Sequence, residues 1–208
     1  MNQKPNCVIF GGAFDPFHNG HLYMLEQLTA HIEVDQIHII PNYLNHFKEK
    51  PLFSSEERLS MLNKIKQILP QNKQQPRYII SDIELKKKAA CYSIDTITTF
   101  QKDYPDHRLL LLIGSDNFFS FHQWKKFHEI LKKVTLCVIR RDDYALEKYQ
   151  SYIDTTLHQK DFTSLMLIGK QSVNISSTQV RQRIRLNEDI STVVPKLTVP
   201  LIHSRNHT

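Results

Sequence analysis

The sequence predicts an α/β protein: a Rossmann-like, doubly wound parallel sheet with helices on both faces. Three observations carry that reading. Short apolar runs recur along the chain, helical patterns separate them, and glycines follow several of the runs directly. Strands covered on both faces read as near-continuous apolar stretches, and parallel neighbours need a crossover long enough for a helix. Ligands of such folds bind at the carboxyl ends of the strands, where Gly11, Gly114 and Gly169 fall.

Taken in order, Cys7–Phe10 is the first strand. After the turn that follows, Leu22, Leu25, Leu28 and Ile32 recur at helical spacing and place a helix near Gly20–His31. Gln36–Ile40 is the second strand. Ser55–Leu69 is helical, opened by a capping box of Ser54 and Glu57. Tyr78–Ser81 is a strand and Ile94–Tyr104 a helix, then Leu109–Ile113 a strand before a broken helical stretch near Asp116–Leu131. Val134–Ile139, a helix over Tyr144–Leu157 and the strand Leu165–Ile168 complete the alternation. Gln179–Leu186 starts another helix, and Val194–Ile202 forms a last short one. There Pro195 suits a first turn, and Pro200 is expected to disturb the end.

With 208 residues, 40% hydrophobic and 23% charged, one domain spanning 1–208 can bury roughly 70% of its unfolded surface. No apolar run approaches the roughly 18 residues of a membrane span, so no membrane partner and a cytoplasmic location are expected. Cys7, Cys91 and Cys137 are odd in number and far apart, which fits reduced, packed thiols better than a disulfide framework or a zinc site. The net charge of +6 is spread along the chain, its longest lysine cluster being Lys86–Lys88. Such runs are usually solvated faces, and no nucleic-acid partner is expected. A homo-oligomer is left open.

Chemistry concentrates in "GGAFDPFHNGH", Gly11 to His21, which holds three of the chain's five glycines. Gly11 and Gly12 let the backbone approach a ligand, and Asp15-Pro16 makes a stiff turn. Asn19 reads as the N-cap, putting Gly20 and His21 in the first helical turn, where free N–H groups favour an anion. His18 and His21 can both reach over that helix end, a cradle for phosphate oxygens.

A second constellation, "ISSTQVRQRI", gives hydroxyls at Ser176, Ser177 and Thr178 and a guanidinium at Arg181 around another helix start, a set suited to a triphosphate. Gly114 ends a strand in "LLLLIGSDNFFSFHQW", where Asp116 either takes two ribose hydroxyls or caps a helix. Trp124, the only tryptophan, would ordinarily be core.

The pattern GGxFDPxHxGH resembles the signature of the nucleotidylyltransferase superfamily, and ISSTxxR resembles the second signature of its adenylyltransferases. With the GxD of Gly114 and Asp116, the segment CYSIDTI and Trp124, the chain is similar along most of its length to nicotinate mononucleotide adenylyltransferases. That resemblance implies transfer of the adenylyl group of ATP to nicotinate mononucleotide, giving deamido-NAD and pyrophosphate in NAD biosynthesis. It implies that His18, His21 and Arg181 are catalytic. ATP contacts extend over Gly11, Gly12, Phe14, His18, Gly20, His21, Gly114, Asp116, Ser176, Ser177, Thr178 and Arg181. Lys48, Tyr92, Ser93 and Trp124 bind the acceptor, Trp124 by stacking on its pyridine ring. Mg²⁺ is expected to arrive with ATP, because no carboxylate cluster offers a protein cage and no metal ligands are assigned.

Departures from the family surround the acceptor. Where members often carry Pro-Pro-His-Lys, this chain reads Asn45-His46-Phe47-Lys48, and Cys91 and Ser93 flank Tyr92 in place of Ser and Thr. Acceptors that the same chemistry would serve are nicotinamide mononucleotide, phosphopantetheine, or the alcohol phosphates used by CTP-dependent relatives. A non-catalytic nucleotide- or RNA-binding module is the alternative of another class. Against it stand the intact histidine pair and the lack of an aromatic-basic platform.

Overall fold

The computed structural model describes residues 4–43, 51–72, 74–87, 89, 91–158, 162, 164–169, 173 and 175–203. Six strands, β1 (Asn6–Gly12), β2 (Gln36–Pro41), β3 (Arg77–Ile80), β4 (Arg108–Gly114), β5 (Thr135–Ile139) and β6 (Ser164–Ile168), form one sheet in the order 3-2-1-4-5-6. Every neighbouring pair is parallel, with Cys7 beside Gln36 on one flank and beside Leu109 on the other. This is the doubly wound arrangement the alternation predicts, and all six expected strands are present. The strand order reverses at β1 and β4, the switch point at whose carboxyl end such sheets bind ligands.

The helices are α1 (Asn19–His31), α2 (Ser55–Lys66), α3 (Ile83–Lys86), α4 (Ser93–Asp103), α5 (Ser115–Phe118), α6 (Phe127–Lys133), α7 (Leu146–Tyr152), α8 (Ser177–Arg185) and α9 (Val199–His203). The broken stretch resolves into α5, a 3₁₀ turn at Phe121–Gln123 and α6. A π turn over Ile153–Leu157 continues α7. Helix α3 is too short to show a period and was not expected. Pro195 caps a 3₁₀ turn, and Pro200 is the second residue of α9, where its missing N–H costs nothing; it opens that helix instead of disturbing its end.

Alternate residues of the central strands enter opposite cores, as a sheet covered on both faces requires. Cys7, Ile9, Leu109, Leu111, Leu136 and Val138 pack on one side; Val8, Phe10, Leu110, Leu112, Cys137 and Ile139 pack on the other. A third, smaller core joins Phe53 and Met61 to Val180, Ile184, Ile190, Val194 and Ile202. It matters for the site, because it clamps α8 against α2 and so fixes where Arg181 emerges. The three cysteines are free. Among the described residues no helix is long and apolar enough to cross a membrane.

Candidate active site

The turn between β1 and α1 is built from buried polar groups. Asp15 is 3% exposed; its carboxylate accepts the Leu52 and Phe53 N–H groups at 2.9 and 2.8 Å. Arg58, 1% exposed, donates from Nη1 to the carbonyls of Ala13 (2.8 Å) and Asn42 (2.7 Å). Burial pushes its guanidinium pKa down, and the Asp15 charge pulls it back up. The two residues staple the turn to the end of β2 and the start of α2.

Helix α1 begins one residue earlier than the sequence suggests. His18, not Asn19, is the N-cap, and its backbone N–H donates to His21 Nδ1 at 3.2 Å. Asn19 is the first helical residue, its amide donating to the Thr192 carbonyl and its N–H to that of Val193. Asparagine is the commoner cap, but here it ties the helix start to the C-terminal segment while a histidine reciprocates with the third residue. That bond fixes the neutral tautomer of His21, leaving Nε2 as its donor. The His18 and His21 rings stack with centroids 3.8 Å apart. Phe10, Phe14 and Phe17 enclose His21 at 6.0, 5.0 and 5.1 Å. Phe14 is 1% exposed, so its ring reaches the site through His21. Its backbone is left-handed at φ 47°, and a Cβ on Gly12 would come within 3.0 Å of its ring, which explains the glycine. A Cβ on Gly11 would meet nothing within 4 Å.

Helix α8 docks on the same turn. Ser176 caps it by accepting the Gln179 N–H at 3.2 Å, and Ser177 Oγ donates to the Pro16 carbonyl at 3.3 Å. Arg181 donates from Nη1 to the Asp15 carbonyl (2.9 Å) and reaches its carboxylate at 3.4 Å, while Nη2 donates to Thr178 Oγ1 (3.1 Å). The arginine of the second motif therefore meets the turn that carries both histidines, across 166 residues of sequence.

On the other flank, Gly114 precedes α5, and Asp116 does not cap that helix. Its carboxylate pairs with Arg141 at 2.8 Å. Arg141 carried no sequence signal beyond its place just after β5; Arg58 and Asp15 also acquire their roles only through tertiary contacts. Tyr92 caps α4, with Ser93 as the first helical residue, and Lys125 Nζ lies 3.9 Å from the Tyr92 ring centroid. That brings Tyr92 beside the segment of Trp124, whose ring lies 5.0 Å from Phe121. Glu84 of α3, 8% exposed, accepts from Thr96 Oγ1 at 2.6 Å and so braces α4 from below. Burial raises its carboxyl pKa, against the pull of that hydrogen bond. Lys48 and the Asn45–Lys48 loop lie outside the described residues. Among the described residues no three His, Cys, Asp or Glu side chains cluster to hold a metal. The donors gathered here are ring, hydroxyl and guanidinium groups, a set suited to phosphate oxygens.

The model of the cytidylyltransferase-like family matches residues 9–183. A probable nicotinate-nucleotide adenylyltransferase of Shigella boydii is 31% identical, covering 98% of each chain. One from Aquifex aeolicus is 31% identical over 83% of this chain and 99% of its own. The structure of Plasmodium falciparum nicotinic acid mononucleotide adenylyltransferase complexed with NaAD superposes with a TM-score of 0.80 at 19% identity, over 97% of this chain and 96% of that one, a likeness of fold. The chain thus belongs to the cytidylyltransferase-like family, among its nicotinate-nucleotide adenylyltransferases.

Proposed function

We propose that this enzyme transfers the adenylyl group of Mg-ATP to nicotinate mononucleotide, releasing pyrophosphate and deamido-NAD. The observation that carries the reading is the meeting of two stacked imidazoles with Arg181 on one turn, at the mouth of the sheet's switch point. The acceptor's 5′-phosphate, with a second pKa near 6, is mostly a dianion at pH 7 and needs no general base. One of its oxygens attacks the α-phosphorus of ATP, and the bond from that phosphorus to the bridging oxygen of the β-phosphate breaks. Catalysis is positioning and electrostatic stabilisation of the crowded phosphorus.

In this reading His18 and His21 hold the α-phosphate, with His21 donating from Nε2. Arg181, Ser177, Thr178 and the free N–H groups at the start of α8 receive the departing pyrophosphate; Gly11 leaves the backbone open to the nucleotide, and Gly12, Gly20 and Gly114 make room for the Phe14, His18, Asp116 and Arg141 side chains around it. Asp116 faces the ribose. Tyr92, Ser93, Trp124 and Lys48 hold the acceptor. The magnesium ion would enter as part of the substrate and supply positive charge against the phosphates. The test is pyrophosphate release from Mg-ATP with nicotinate mononucleotide, nicotinamide mononucleotide or phosphopantetheine offered separately. Fastest turnover with the first is expected; a preference for either of the others overturns the acceptor, and none with any overturns the reaction.

A further inference from the structure

Arg141 is a largely buried charged side chain beside the histidine turn that this reaction leaves unused. Its main chain is pinned, the N–H donating to Ser115 Oγ at 3.3 Å and the carbonyl accepting the Val173 N–H at 3.2 Å. Its side chain is only 13% exposed, and Nη2 donates to Asp116 at 2.8 Å. Nε and Nη1, however, are buried with no hydrogen-bond partner. Two glycines mark where the guanidinium lies. A Cβ on Gly20 would stand 3.2 Å from Nη1 and 3.0 Å from the His18 ring; a Cβ on Gly114 would stand 3.0 Å from Nε. The group therefore spans the gap between the start of α1, beside His18, and the end of β4.

A buried cation with two idle donors is unfavourable unless an anion meets it. Of the two, Nη1 faces the start of α1 beside His18, where a phosphate oxygen would meet it. Arg181 is different: both its terminal nitrogens already donate to Asp15 and Thr178. The two arginines thus differ: Arg181 meets the histidine turn at Asp15 with its terminal nitrogens engaged, and Arg141 lies beside His18 with Nη1 idle. We infer that Arg141 is a further catalytic residue, donating from Nη1, the nitrogen beside His18, to the α-phosphate of the nucleotide. Asp116 is its positioning residue. The inference rests on the adenylyl transfer proposed above.

Arg141→Gln and Arg141→Lys test it through three readouts: steady-state kinetics, the Mg-ATP dissociation constant and the melting temperature. Arg141→Gln is expected to lower kcat/KM for ATP by about 10²-fold or more, as lost transition-state donors do, with the KM for the acceptor unchanged. Arg141→Lys, which keeps the charge and loses the planar guanidinium held by Asp116, falls between. Because the wild-type group is unsatisfied, Arg141→Gln is expected to melt at or above the wild-type temperature. Turnover of Arg141→Gln within threefold of wild type overturns the inference. So does a lower melting temperature in Arg141→Gln that Arg141→Lys restores together with full activity. If the wild-type chain releases no pyrophosphate with any acceptor, the proposed function falls. Mg-ATP affinity then decides the arginine's role alone: at least tenfold weaker binding by Arg141→Gln supports it, and equal binding overturns it.

Discussion

The two ends of the sheet bury ionisable groups in opposite ways. In the amino half, burial keeps them neutral. Cys7 is pushed up to about 11, and His38, 4% exposed, is lowered to about 4 by burial first and by Arg77 and His107 second. The His38 ring packs edge-on against Phe100 at 4.8 Å and Tyr104 at 5.3 Å, an apolar setting that no anion could enter without loss. At the carboxyl end charges are retained and directed. Asp15, Arg58 and Arg181 hold one another's elements together, and Arg141 keeps donors in reserve. One fold therefore carries packing chemistry at one end of its strands and phosphate chemistry at the other, and the apolar or hydrogen-bonded surroundings of the buried groups tell the ends apart.

The largest effect that would break this contrast is at the histidine pair. His18→Ala and His21→Ala are each expected to lower kcat by roughly 10²–10⁴ while the fold persists. Near-wild-type turnover in both would make the carboxyl end no more functional than the amino end. Next comes Arg58→Met, which strands the Ala13 and Asn42 carbonyls. At the usual 1–3 kcal/mol per stranded group, denaturant unfolding should show a loss of about 4 kcal/mol. A change below 1 kcal/mol would remove the staple from the account.

His38 sharpens the comparison from the other side. Its folded pKa, about 4, lies below its unfolded 6.5. As pH falls the unfolded chain takes up the proton first, so the stability linked to this group is full above 6.5 and lost between 6.5 and 4. The loss is about 3 kcal/mol over that window. Unfolding curves across that range should flatten in His38→Gln; an unchanged pH slope contradicts the neutral-core description. The smallest effect is at the α2 cap, where Ser54 accepts the Glu57 N–H at 3.1 Å. Ser54→Ala should cost about 1 kcal/mol and lower the melting temperature by about 2–4 °C without touching kcat.

How far the sequence could anticipate the molecule follows the same division. The strands were readable because residues buried on both faces leave uninterrupted apolar runs, and Ser54 with Glu57 announced a cap that depends only on local spacing. The histidine turn and the ISSTxxR segment were readable as two phosphate-binding ends. Their meeting was not derivable from either alone, because it needs the third core of Phe53, Val180 and Ile184 to press α8 onto α2. The true cap of α1 was hidden for a related reason: Asn19 is the better intrinsic cap, but its amide is taken by the Thr192 carbonyl, 173 residues away. Arg141 had no motif, since a lone arginine after a strand looks like any solvated residue until its neighbours close around it.

The measurement that tests the central claim most directly is a crystal structure of the wild-type chain with Mg²⁺ and a non-hydrolysable ATP analogue. α-Phosphate oxygens are expected within about 3.2 Å of the His18 and His21 ring nitrogens, with the outer phosphates against Arg181 and Thr178. A triphosphate seated elsewhere, with the two imidazoles facing no phosphate, would contradict it.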